Sequence, residues 1–138
     1  MVGMILSGTL KAGDKLPTER EMADAMKILA KHHTEEQMLQ LEESLDEVRS
    51  LIDEDIESFS KAIYYYHRMI LFLSGNSITP LIMNAFEPAI MPFWMNYVQE
   101  LGKENALKRL EDFTRYIRQG DGSLATALLC EGLQVEEP

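Results

Sequence analysis

A single cysteine, Cys130, leaves this 138-residue chain with no internal disulfide, so packing alone must hold its fold, and a reducing cytoplasmic setting is expected. Bases are also scarce. Thirteen Lys and Arg stand against 23 Asp and Glu, for a net charge of −10, the opposite of the basic footprint of a nucleic-acid binder. The apolar stretches are cut by polar residues or prolines, so no membrane span is expected. The N-terminus lacks a basic segment followed by an apolar run, so no secretory leader is expected either. Beyond residue 30 there is no apolar–polar alternation and no internal repeat, which argues against a sheet. The parts of an enzyme are missing too. Cys130 has no histidine near it in sequence, no glycine-rich phosphate loop follows a strand, and no Ser/His/Asp arrangement is visible. The acidic pairs Glu35–Glu36, Glu42–Glu43 and Asp53–Asp55 read as solvated faces or helix caps. No catalysis, metal or cofactor is expected.

What remains is a hydrophobic fraction of 46% with 26% charged residues, the composition of a folded globular chain. Its charge is unevenly spread. Residues 1–27 balance Lys11, Lys15, Arg20 and Lys27 against Asp14, Glu19, Glu21 and Asp24, so the rest carries the whole −10. Contact with phosphate is therefore confined to the first part.

Helix signals are dense from Pro17 onward. Thr18 and Glu21 form a capping-box pattern, with Met22 and Met26 as an apolar stripe, and Thr34 with Gln37 forms a second box. Met38, Leu41, Leu45, Val48 and Ile52 then step by three and four. Asp53 or Asp55 opens the next helix, where Ile56, Phe59, Ile63, Tyr66, Ile70 and Leu73 repeat the pattern. Tyr64, His67, Leu71 and Phe72 make that helix apolar on most sides and so central. Gly75 ends it as a left-handed cap. Ile78–Leu101 forms a third apolar segment, with a kink or break expected near 86–92 because of Pro88 and Pro92. Ala106, Leu110, Phe113 and Ile117 mark a further helix stopped by Gly120, and Asp121 caps a last one through about Leu133. "QVEEP" reads as a frayed tail. The fold class expected is all-α, an antiparallel helical bundle.

Two stretches resemble one family. "ILSGTLKAGDKLPTEREMADAM", Ile5 to Met26, resembles the opening of the winged helix-turn-helix head of GntR-family transcription regulators. The resemblance rests on Ile5, Ser7-Gly8, Gly13-Asp14, Leu16-Pro17, Glu19-Arg20-Glu21 and Ala23. "FSKAIYYYHRMILFLSGNSITPLIMNAF" and "RQGDGSLATALL" resemble the helical FCD-type effector domain of the FadR-like branch, over about residues 28 to 133. Two domains are expected: a partial DNA-binding head at 1–27 and an effector-binding and dimerisation domain at 28–138. The recognition helix and the wing of the head are absent, and "ILAKHH" looks like the end of the first effector helix. Either the protein carries a deletion near 27/28, or the chain joins separate pieces.

The resemblance implies DNA as a partner, with Arg20, Thr18 and Lys15 as the contacts left to an incomplete head. His67 falls where many members of the branch place a metal-binding histidine. Their preceding aspartate is Ile63 here, however, and their two later histidines are Phe113 and Gly132. One imidazole cannot hold a transition metal, so His67 reads as a core or pocket residue. Loss of the metal site resembles the acyl-CoA-responsive type, and Ile78–Leu101 offers no Lys or Arg to a carboxylate. That suggests a small organic effector of long-chain acyl type in a pocket of Tyr64, His67, Met83, Phe93, Trp94, Tyr97 and Phe113. The alternative is that these Met and aromatic residues are plain core. Because the first long effector helix looks absent, apolar surface is left to cover, and a homodimer is expected. The overall reading is a bacterial ligand-responsive transcription regulator. The alternative reading is an effector-binding or dimerisation module that no longer binds DNA.

Overall fold

The computed structural model describes residues 17–134, with side chains from 20 to 130. Seven helices follow one another: α1 Pro17–His32, α2 Glu35–Ser50, α3 Ile56–Leu73, α4 Ile78–Ala85, α5 Glu87–Leu101, α6 Lys103–Arg118 and α7 Gly122–Gln134. No strand occurs among the described residues, and the chain is an all-α bundle.

Local chemistry sets most of the boundaries. Thr34 accepts from Gln37 N at 3.1 Å while the Gln37 side chain accepts from Thr34 N at 2.9 Å, closing the capping box at the start of α2. The Gln37 amide also donates to Leu73 O at 3.1 Å, so the same side chain caps the C-terminal end of α3. Of the two candidate aspartates, Asp55 caps α3, accepting from Ser58 N at 3.0 Å. Bonds from Ser58 hold the Asp55 carboxyl below its usual range. Gly75, with φ +98°, turns the chain at the end of α3 in a conformation that side chains resist. Asp121 accepts from Leu124 N at 3.0 Å and opens α7.

The prolines behave differently from expectation. The apolar segment does break, at Phe86, but Pro88 falls in the first turn of α5 and Pro92 lies inside that helix. A proline is tolerated in the first turn because its missing N–H has no partner there anyway. Pro92 deprives the Pro88 carbonyl of its helical donor, and since both prolines are exposed, water can take that place.

The core is centred on α3, which packs against α1, α2, α4 and α5. Phe59, Tyr64, Tyr66, Ile70 and Leu71 are all fully buried. Two buried hydroxyls on this helix are satisfied from other helices. Tyr64 donates to Met83 O at 2.6 Å, and Tyr66 donates at 2.6 Å to Thr114 Oγ1, which in turn donates to Leu110 O at 2.8 Å. Burial raises both phenol pKa values, that of Tyr64 to about 12.

α1 runs unbroken through positions 27 and 28, where the resemblance passes from one domain to the other. It begins at Pro17, one residue before the expected cap Thr18, and packs against α3, α6 and α7. Met22, Ala25 and Met26 are as buried as Leu29 and Ala30 further along. Glu21 accepts from Asn76 Nδ2 at 2.9 Å and also from the Thr79 hydroxyl, tying α1 to the turn that opens α4. At the other end Gly122 lets α7 approach so closely that an added Cβ would sit 3.1 Å from the Lys27 Cα. The surface expected to lie bare for want of a first effector helix is therefore covered by α1.

Truncation tests this helix directly. Met26→Ala removes a side chain with no exposure and is expected to cost about 2–5 kcal/mol of unfolding free energy in urea. Exposed Lys27→Ala is expected to stay within about 0.5 kcal/mol. Equal, small effects at both positions would detach α1 from the core.

Candidate functional site

The site is best built outward from His67. Its position on a buried face of α3 leaves the ring 4% exposed. Nδ1 lies 2.9 Å from Ile63 O, and a carbonyl can only accept, so Nδ1 carries the hydrogen and Nε2 is left as an acceptor. Aromatic rings close around the imidazole. Trp94 stands 4.6 Å away centroid to centroid, Tyr66 meets it edge-on at 5.6 Å, and Phe113 does so at 6.1 Å. Trp94 is itself held edge-on by Phe93 at 5.6 Å and by Tyr97 at 5.9 Å. Burial lowers the His67 pKa to about 4, opposed by the bond to Ile63 O, so the ring is neutral at pH 7.

Beside this ring cluster lies a void of about 20 Å³, lined by His67, Trp94, Tyr97, Arg109, Phe113, Leu128 and Leu129. That is room for about one water molecule. The long acyl chain expected from the apolar segment has no chamber here. Among the described residues the lining holds one cation, Arg109, and no acid, in a chain of net charge −10. The Arg109 guanidinium donates to Leu128 O at 3.3 Å. Burial raises the Tyr97 phenol pKa, and the nearby Arg109 charge pulls it the other way.

Of the seven residues expected in the pocket, His67, Trp94, Tyr97 and Phe113 line this void. Tyr64 and Met83 instead bond to each other where α3 meets α4, and Phe93 backs Trp94 from outside. Arg109, Leu128 and Leu129 were not anticipated. Arg109 had a readable signal, since it precedes Phe113 by one helical turn and so shares its face.

The remaining site expectations fall as follows. Arg20 is exposed on α1, Lys15 lies outside the described residues, and Thr18 lies in α1 with its side chain outside them. The positions of the family's other metal ligands do not fit an ion. Ile63 offers His67 only a carbonyl, Phe113 packs on the ring, and Gly132 of α7 has no donor side chain. Among the described residues no group of three or more His, Cys, Asp or Glu could hold a metal. No helix among them is long and apolar enough to cross a membrane.

The FCD domain family model matches residues 23–134. No curated protein and no solved structure matches the chain.

The buried imidazole makes stability depend on pH in a definite direction. An unfolded histidine titrates near 6.5 and this one near 4, so the unfolded chain binds the extra proton between those values. The His67 contribution is complete above about pH 6.5 and is lost as pH falls toward 4. Urea unfolding at pH 7 and pH 5 is expected to show wild type losing about 2 kcal/mol more than His67→Gln over that interval. Parallel losses in the two proteins would show that the ring is not held neutral.

Proposed function

Because the chain belongs to the FCD domain family, found in GntR-family regulators, we propose that it is an effector-binding module that senses a compact anionic ligand, such as a small carboxylic acid. FCD domains serve regulation rather than catalysis. One observation carries the ligand class: a ring-lined void to which, among the described residues, Arg109 brings a cation and His67 an imidazole acceptor. A carboxylate would meet the guanidinium in a charge-assisted bond, while a donor group on the ligand would meet Nε2. Trp94, the sole tryptophan, lies against the site and reports its occupancy.

Titrating a panel of small carboxylates against Trp94 fluorescence tests this reading. At least one is expected to give a saturable change, weakened about tenfold or more in Arg109→Met, as befits the loss of a charged hydrogen bond. Saturable binding that ignores Arg109→Met would remove the anion assignment.

Within the regulator lineage, we favour a module that pairs with copies of itself over one that reads operator DNA through residues 1–27. The support is α1: the head-like residues Met22, Ala25 and Met26 spend their apolar face inside the bundle, and Glu21 is engaged by Asn76 and Thr79. Arg20, with Lys15 and Thr18, is left to meet phosphate without an element to insert in a groove. A homodimer is supported by a different face, which exposes Phe72 (58%), Ile78 (68%), Leu81 (66%) and Ile82 (45%). Residues 74–86 around it contain no charged residue, so two acidic copies can meet there without mutual repulsion. Sedimentation and gel shift on one preparation separate the readings. The expected result is a dimer that Phe72→Asp with Leu81→Asp converts to monomer, without sequence-selective retention of duplex. Nanomolar, sequence-selective binding would restore the DNA-reading function.

A further inference from the structure

The void beside His67 holds about one water, so any effector proposed above requires a wall to move. Four helices supply that wall, and they are anchored very unequally. α3 is the bundle centre. α6 buries Ala106, Leu110, Phe113, Thr114 and Ile117, and is fastened to α3 through Tyr66–Thr114. It is also fastened to α2, because Arg118 bonds Glu35 at 3.0 Å and Glu42 at 2.9 Å, and Arg49 bonds Glu111 at 2.9 Å. α7 is capped by Asp121 and nests its Gly122 against α1.

α5 stands apart. Of its fifteen residues only Met91 and Val98 are buried. Its N-terminal end has no side-chain cap at Phe86, which separates it from α4. At its C-terminal end, where Gly102 with φ +93° separates it from α6, the one side-chain bond is from the exposed Asn105 amide to Leu101 O at 2.9 Å. Gly102 holds a conformation that leaves backbone freedom at the joint, and a Cβ there would meet only the Asn105 side chain, at 3.8 Å. Inside the helix, Pro92 removes the bond to the Pro88 carbonyl on an exposed face. This weakly held helix carries Trp94 and Tyr97, which form one side of the void.

We propose that α5 is the gate of the effector site, swinging outward between Phe86 and Gly102 to admit the ligand and closing Trp94 back onto His67. The proposal rests on the effector reading, but its mechanical part stands in the unliganded chain and can be tested there. Opening of α5 as a unit requires that its amides exchange without global unfolding, since local opening involves only the bonds and the buried surface of that helix. It also requires that Trp94 become reachable from solvent on the same excursions.

Hydrogen exchange followed by mass spectrometry on the full chain, with no ligand, reads the first requirement. Peptides from Phe93–Leu101 are expected to exchange about tenfold or more faster than peptides from Tyr64–Ile70, with a rate nearly independent of low urea. Acrylamide quenching of Trp94 reads the second. Pro92→Ala restores the missing helical donor, and is expected to slow exchange in α5 and reduce the quenching, while leaving α3 exchange unchanged. Exchange of α5 and α3 as one cooperative, urea-sensitive unit in the wild-type chain overturns the gate, whatever the variant does. Failure of every carboxylate to bind while α5 still exchanges early would overturn the effector reading instead, so the two failures are told apart.

Discussion

A helix buried on nearly every side is the constraint on which the rest of this molecule depends. α3 carries Phe59, Ile63, Tyr64, Tyr66, Ile70 and Leu71 at no more than 1% exposure, and no single partner helix could bury so wide an apolar surface. Its neighbours α1, α2, α4 and α5 are therefore obligatory, and the second layer of α6 and α7 follows from theirs. The same burial favours a fixed partner for each polar group on α3, since an unpaired buried group costs about 1–3 kcal/mol, and only the Ser60 hydroxyl is left without one among the described residues. Tyr64 finds a carbonyl on α4, Tyr66 finds the Thr114 hydroxyl on α6, and His67 finds the carbonyl one turn behind it. Those pairings dictate which face of each neighbour looks inward.

The candidate site grows out of that constraint. His67 cannot afford a charge, so it presents a neutral ring with one nitrogen committed and one available. Around it, Trp94 of α5 packs at a tilt and Phe113 of α6 packs edge-on, leaving a gap too small for anything but water. Among the described residues Arg109 brings the one positive charge of the lining to that gap, in a chain with an excess of acids.

What was legible in the sequence was local. The Thr34–Gln37 box, the Asp55 cap, the left-handed Gly75 and the Asp121 cap are each settled within four residues, and each stands where the spacing places it. Long-range matters were less legible. The stripe of Met22 and Met26 says that α1 has an apolar face, but not which core receives it. The lining of the void depends on how α6 and α7 meet α3, so Leu128 and Leu129 carried no sign of their role. The prolines marked the break that falls at Phe86, but not the place of Pro92 inside α5, because the cost of a missing N–H depends on whether water can reach the orphaned carbonyl. Exposure decides that, and exposure is a property of the fold.

The α1 helix carries a consequence for how such domains change over generations. Its place in the bundle asks for little: an amphipathic turn pattern, a backbone that Gly122 can approach at Lys27 and Ala30, and one carboxylate able to reach Asn76 and Thr79. Many unrelated helices meet those terms. A bundle with so undemanding a berth tolerates recombination at that edge, since a helix shaped by selection for one task can be spliced in to perform another. A stretch that resembles a DNA-reading head can thus serve as scaffold, through its hydrophobic rhythm alone.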